Sequence, residues 1–207
     1  MNEYLIPASP GEAEYDEKRS RFIAHICPVK TEEEARDFIA EMKKNYHDAR
    51  HNCWCYIIHE GAERYSDDGE PQGTAGIPML EVFRKEGISD FVCVVTRYFG
   101  GVLLGAGGLL RAYTKAAKDA LDSCGRARVC SLQGADIQCP YSVAERLRSE
   151  VDTVGGTCED IVYAADVTLK VLIPKESYDS FALRISDITS GTVNAVKTEE
   201  KFSPVKI

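Results

Sequence analysis

The chain has 207 residues, of which 44% are hydrophobic and 28% charged, with a formal net charge of −8. These fractions are typical of a folded globular protein, and the length admits one large domain or two small ones. The acidic balance excludes adhesion to nucleic acid or anionic membrane over the whole surface, so a site for a polyanion has to be local.

The N-terminal 20 residues are acidic with one short apolar patch, and no run of 18 apolar residues occurs anywhere in the sequence. We therefore expect no signal peptide, no membrane contact and a cytoplasmic location. The eight cysteines are then expected to stay reduced, several of them buried, with Cys93 in "FVCVV" as the clearest case.

The first elements follow from local patterns. After an extended start at "SRFIAHI", Thr31 and Glu34 form a capping-box pattern ahead of an amphipathic helix. A strand "HNCWCYIIH", the turn-rich stretch "SDDGEPQGTAGIP" and a short helix "MLEVFRKEG" come next. The continuous apolar run "FVCVVTRYF" then predicts a buried strand.

A glycine-rich segment, "RYFGGVLLGAGGLLRAY", follows that strand and leads into a helix that ends at Gly125. The helix has one apolar stripe, made of Leu109, Tyr113, Ala116, Ala117, Ala120, Leu121 and Cys124. The glycines have two compatible explanations. They allow a tight turn under a closely packed helix, and they leave free N–H groups at a helix start, where a phosphate binds.

The remaining elements run in the order βαββαβ, which is the ferredoxin-like split unit. Its first helix is predicted to begin with a capping box formed by Ser142 and Glu145. The change of pattern near Gly134 predicts two domains, residues 1–133 and 134–207.

Four motifs occur in order along the chain: "KRSRFIA", "DARHNC", "SDDGEPQGTAGIPML" and "VVTRYFGGVLLGAGGLLRAYTKA". Together they resemble the Impact/YigZ family, specifically its bacterial YigZ-like members. The resemblance covers the whole chain and implies an α+β fold. The N-terminal domain is expected to be an α/β sandwich like ribosomal-protein and elongation factor G domain IV modules, also seen in GHMP kinases. The C-terminal domain is expected to be ferredoxin-like and similar to elongation factor G domain V.

The functional implication of this resemblance is narrower. Eukaryotic members regulate translation under amino-acid starvation, but they carry an additional N-terminal RWD domain that binds their protein partner. This chain begins almost directly at "KRSRFIA", so we expect only the link to translation or RNA to transfer. Nucleic-acid binding by bacterial members rests on likeness of fold. A protein partner in translation and a monomeric state are further expectations.

Local charge favours an anion site beside the glycines. Between Arg97 and Arg128 the sequence has six basic residues and two acidic ones. Three of the basic residues, Arg111, Lys115 and Lys118, lie on one helix face. Alternatively, Lys115 and Lys118 pair with Asp119 and Asp122 on a solvated face. Aromatic residues at the strand end can stack on bases or belong to the core. The predicted nucleic-acid or anion site comprises Arg97, Tyr98, Phe99, Gly105, Gly107, Gly108, Arg111, Lys115 and Lys118.

A second possible site is the acidic motif, with His51, Ser66, Asp67, Asp68 and Glu70 as its residues. Gathered carboxylates can hold Mg²⁺, but Asp-Gly and Glu-Pro are more often turn chemistry. His51, Cys53 and Cys55 alternate on one strand face, which suits a buried surface better than zinc because the ligand set is not closed. We therefore expect no metal and no cofactor.

Two functions remain at this stage. The favoured one is a non-enzymatic RNA- or ribosome-binding protein, with regulation of translation as a possible role. The alternative is a nucleotide-binding enzyme, a GHMP-like phosphotransferase that uses the glycine loop and holds Mg²⁺ on Asp67 and Asp68. The sequence contains no nucleophile elbow, HExxH or kinase signature, and so no catalytic residue is predicted.

Overall fold

The computed structural model describes residues 3–206, which form a mixed α/β protein. It divides into two compact units, Tyr4–Arg128 and Val129–Val205. The division falls five residues before Gly134, inside one long strand rather than at a loop. Among the described residues, no helix is both long and apolar enough to cross a membrane.

The first unit is an antiparallel sheet with helices on both faces. Its strands are β1 (Tyr4–Pro7), β2 (Gly11–Glu17), β3 (Ser20–Pro28), β4 (His51–Ile57), β5 (Glu63–Ser66) and β6 (Phe91–Tyr98), and its helices are α1 (Glu32–Asn45), α2 (Gly76–Glu86) and α3 (Gly105–Cys124). Five strands pair in the order β2-β3-β6-β4-β5. One face of this sheet packs on α2 and α3, and the other packs on α1.

The centre of this sheet explains the apolar run seen in the sequence. β6 pairs with β3 on one side and β4 on the other, so seven of its eight residues are buried. On α3, the whole predicted stripe from Leu109 to Cys124 is buried. Its alanines let the helix approach the sheet closely, and Tyr113 meets the ring of Phe22 edge-on at a centroid distance of 5.1 Å.

Two capping predictions had opposite outcomes. The capping box of Thr31 and Glu34 is confirmed at the start of α1, with both reciprocal hydrogen bonds formed. The capping box of Ser142 and Glu145 is wrong, because α4 begins at Tyr141, directly after Pro140. Pro140 is the N-cap, where the missing N–H of proline costs no helical hydrogen bond, so the helix starts two residues earlier than predicted and Ser142 lies inside its first turn.

The second unit has the predicted βαββαβ order. Its elements are β7 (Arg126–Cys139), α4 (Tyr141–Thr153), β8 (Thr157–Tyr163), β9 (Val167–Pro174), α5 (Tyr178–Ile188) and β10 (Ala195–Lys206). β7 lies between β10 and β9, and β8 flanks β9. The core of this unit consists of residues from Ala135 to Ala195. All eight cysteines of the chain lie in the described part, and none forms a disulfide.

Candidate functional site

A cavity of about 430 Å³ opens in the first unit where the loop after β6 leads into α3. Its polar lining comes from Arg50, His51, Glu70 and Arg97. These residues belong to three separate segments of the chain. His51 begins β4 directly opposite Arg97 on β6, and the turn after β5 brings Glu70 to the same end of the sheet. The antiparallel register therefore assembles the cavity.

A buried ion pair forms part of this lining. Arg97 Nη1 donates to Glu70 Oε1 at 2.6 Å, and the two side chains are only 7% and 3% exposed. The hydroxyl of Tyr113 donates to the same oxygen at 2.9 Å. Burial raises the pKa of Tyr113, so this hydroxyl stays protonated and keeps its role as donor. Additional hydrogen bonds of this kind offset the cost of burying two charges.

One atom of the pair lacks a partner. Arg97 Nε is buried and makes no hydrogen bond to the described residues. Buried polar atoms in native proteins are nearly always bonded, so this N–H group is an exception within the ion pair. Of the predicted site residues, Arg97 lines the cavity as part of this buried pair.

His51 has one ring nitrogen engaged and the other available. Its Nδ1 lies 2.8 Å from the backbone carbonyl oxygen of Asp68. Because a carbonyl only accepts, Nδ1 carries the proton of this bond. Nε2 lies 4.0 Å from Glu70 Oε2, beyond hydrogen-bond distance. Both atoms are therefore free to bond a ligand.

The acidic motif separates into structural and site residues. Asp67 accepts the backbone N–H groups of Gly73, Ala75 and Gly76, at 2.8, 3.1 and 2.8 Å. It thereby caps α2, which has no acidic residue in its own first turn. Of this motif, His51 and Glu70 line the cavity.

The other two members of the motif also hold the turn. Asp68 accepts the backbone N–H of Asn52 and the ammonium group of Lys43, both at 2.7 Å. Ser66 Oγ accepts the backbone N–H of Asp68 at 3.1 Å. Among residues 3–206, no group of three His, Cys, Asp or Glu residues is arranged to hold a metal ion. Cys53 and Cys55 are buried in the core, as predicted.

The start of α3 faces the cavity. Gly105 and Ala106 line it, and no side chain caps the helix or places a carboxylate in its first turn. The first N–H groups of a helix have no intrahelical partner and form the positive end of its dipole. Gly108 packs against Leu104, because an added Cβ would lie 3.0 Å from the leucine Cβ, whereas Gly107 has open space.

Comparison with known proteins identifies the family. Residues 18–121 match the Impact N-terminal domain, and residues 137–192 match a Domain of unknown function (DUF1949). The chain belongs to the Impact family. The protein named IMPACT family member YvyE of Bacillus subtilis is 36% identical over 193 residues, which is 92% of this chain and 89% of that relative.

Two further relatives cover almost the full chain. The protein named IMPACT family member YigZ of Escherichia coli is 33% identical over 204 residues, or 97% of this chain and all of that relative. A solved structure described as an hypothetical protein is 32% identical, with a TM-score of 0.60, and covers 97% of this chain and 100% of that one. The similarity to these Impact-family proteins thus extends through both units of the chain.

The predicted basic helix face of this Impact-family chain, Arg111, Lys115 and Lys118, is largely neutralised by neighbouring carboxylates. Lys115 donates to Asp119 at 2.5 Å, and Lys118 donates to Asp122 at 2.6 Å while also lying 3.2 Å from Glu86. This is the pairing on a solvated face that the sequence left open. Arg111 is exposed and makes no ion pair with the described residues, and it lies beside Tyr15 and Glu17 of β2.

The two aromatic residues at the end of β6 differ in position. Phe99 is 40% exposed and lines the cavity, with the guanidinium carbons of Arg50 and Arg97 at 5.9 and 5.5 Å from its ring centroid. Tyr98 does not line the cavity, and its hydroxyl donates to Asp48 at 2.8 Å. The next apolar side chains are also exposed, and Leu103 is 83% accessible.

Three cations at the cavity or at the turn that contacts Gly100 were missed from the sequence. Arg50 lines it, and the turn between β2 and β3 consists of Lys18 and Arg19, both at positive φ (47° and 68°). That backbone conformation disfavours side chains other than glycine by about 1 kcal/mol each. Gly100 packs on this turn so closely that an added Cβ would lie 1.9 Å from the carbonyl oxygen of Arg19. The motif "KRSRFIA" was the available signal.

Proposed function

We propose that this chain is a non-enzymatic protein that binds the phosphate backbone of RNA, either free or within a ribosome, in a step linked to translation. The observation that carries the proposal is the start of α3, which lines the cavity beside the exposed Arg50 and has neither a side-chain cap nor an acidic residue in its first turn. Phosphate groups bind at helix starts because free N–H groups and the helix dipole both favour an anion there.

The charge around this cavity supports the same conclusion. Lys18, Arg19, Arg50 and Arg111 border the segment from Phe99 to Arg111, and none of them makes an ion pair with the described residues. We call these four cations the loop cations. Each of them is available to neutralise a phosphate along this segment of an acidic chain.

The family gives a coarser support. Impact-family membership and the resemblance to elongation factor G domains IV and V connect the chain with translation, and a protein partner and a cytoplasmic location belong to this proposal. The related folds named from the sequence, the ribosomal-protein-like sandwich and the ferredoxin-like unit, are likewise proposed here. Likeness of fold is an associational argument, so the site residues carry the functional one.

The phosphotransferase alternative is less well supported. It places Mg²⁺ on Asp67 and Asp68, whose carboxylate oxygens accept backbone N–H groups and the ammonium group of Lys43. Moving either carboxylate to a metal would uncap α2 or release the start of β4. The geometry therefore favours RNA binding without catalysis.

The test is a binding assay with a short, fluorescently labelled single-stranded RNA at two salt concentrations. The variants are Arg50→Glu and Arg111→Glu, and both positions are exposed, so little loss of stability is expected. The matched control is Arg146→Glu, which makes the same charge change on α4 at an exposed cation without an ion pair among the described residues.

We expect both loop-cation variants to weaken binding and the control to bind like the wild type. The slope of log K against log salt should flatten by about 0.7 for each phosphate that the variant no longer neutralises. No binding of RNA or ribosomes by the wild type at low salt would contradict the proposal. Turnover of ATP that depends on Mg²⁺ and on Asp67 would establish the enzymatic alternative instead.

A further inference from the structure

The floor of the cavity presents both a donor and acceptors. Arg97 lines it with a guanidinium group that pairs with Glu70 Oε1, Glu70 Oε2 accepts no hydrogen bond from the described residues, and His51 Nε2 is the free nitrogen of a ring fixed through Nδ1. The walls around these atoms are mostly apolar and include Phe99 and Leu103. A cavity of about 430 Å³ falls in the usual size range of small-ligand sites, roughly 300–1,000 Å³.

The carboxylate of Glu70 decides which group fits this floor. A phosphate placed there would lie beside Oε2, and the repulsion between two anions in a dry site is strong. The phosphate is therefore better held at the rim, by the first turn of α3 and by Arg50. The floor instead suits a neutral planar group that has a hydrogen-bond donor next to an acceptor.

We infer that the cavity holds one unstacked nucleobase of the bound RNA, with its polar edge against Glu70, Arg97 and His51. This inference rests on the proposed function and adds its recognition chemistry. Every RNA base has an N–H donor beside a nitrogen or oxygen acceptor on its pairing edge, and single-stranded RNA is recognised through such unstacked bases. Phe99 supplies the aromatic contact, and the exposed Leu103 adds apolar surface to the lining.

The experiment compares a short single-stranded RNA with an abasic oligonucleotide of equal length, which keeps the ribose-phosphate chain without bases. We expect the wild type to bind the abasic chain at least about tenfold more weakly, the usual effect of losing one stacked base. Phe99→Ala should weaken binding of the intact RNA and leave binding of the abasic chain unchanged.

The matched control for the aromatic change is Phe202→Ala, because Phe202 in β10 is 42% exposed and Phe99 is 40% exposed. This control should bind both oligonucleotides like the wild type. Urea unfolding of both variants verifies that they are folded. A second readout is the imidazole signal of His51 in NMR spectra, which should shift when free nucleosides are added.

The outcomes separate the inference from the function on which it rests. If intact and abasic chains bind equally and Arg50→Glu weakens both, the nucleobase inference is wrong and backbone binding stands. Nucleosides that leave the His51 signal unmoved at saturating concentration would also overturn the inference. If the wild type binds neither oligonucleotide, the proposed function itself is wrong.

Discussion

Replacement of Arg97 by methionine leaves the carboxylate of Glu70 buried without its counter-ion. Breaking a buried ion pair by removing one partner costs about 3–5 kcal/mol. Tyr113 still donates to Glu70 at 2.9 Å, so we expect the lower end of that range, about 3 kcal/mol. Methionine keeps most of the apolar volume of the arginine stem, so the loss reports the charge and not an empty space.

The assay is urea unfolding followed by the fluorescence of Trp54, the only tryptophan of the chain, which lies on β4 of the first unit. With a urea slope of about 1–3 kcal/mol per molar, the midpoint should fall by about one to three molar units. The double variant Arg97→Met with Glu70→Gln should recover more than half of the loss, because a neutral amide needs no counter-ion. The reasoning that this ion pair is shielded from water would be refuted by a loss of unfolding free energy below about 1 kcal/mol for the single variant. An equal loss for the double variant would refute it as well.

Four other experiments have definite expected outcomes. Gly100→Ala should destabilise the first unit strongly in the same urea assay, because the new Cβ would lie 1.9 Å from the carbonyl oxygen of Arg19. Gly107→Ala should be neutral or stabilising by up to about 1 kcal/mol, since the nearest atom to its Cβ lies 3.6 Å away in a helix; a large loss there would contradict the open space. Burial raises the pKa of Cys93, so mass spectrometry after brief iodoacetamide treatment should find this thiol unmodified in the native chain and modified in urea. A fragment of residues 129–207 should unfold cooperatively by circular dichroism, because its core uses only residues of the second unit, and a molten fragment would count against independent folding.

Much of the fold was predictable because its signals are local. The capping box at Thr31 involves residues three positions apart, and the apolar stripe of α3 repeats with the helical period. The run that begins "FVCVV" predicted a buried strand, and seven of the eight residues of β6 are buried. The error at Ser142 is local as well, because Pro140 two residues earlier is the N-cap, a position where proline lacks no helical hydrogen bond.

The candidate site was only partly visible in the sequence. Arg97, Phe99 and the helix start after the glycines were identified from one continuous segment. Lys115 and Lys118 were equally good candidates by spacing, but their carboxylate neighbours neutralise them in the structure. Which cations remain available to bind a ligand depends on side-chain rotamers and on Glu86 from another helix. Helical spacing predicts neither the rotamers nor the contact with the other helix.

The sequence by itself determined the family, the order of the elements, the buried faces and the short segment in which the site lies, because periodicity and motifs are properties of neighbouring residues. Only the tertiary structure decided which polar groups meet. Glu70 and Arg97 are 27 positions apart and come into contact because β6 pairs with β4, β4 pairs with β5, and Glu70 lies in the turn after β5. The same packing buried that pair, left Arg97 Nε without a partner among the described residues and placed the start of α3 at one wall of a cavity. Burial and hydrogen bonding between distant segments are collective results of packing, and so they appear only once the whole unit is folded.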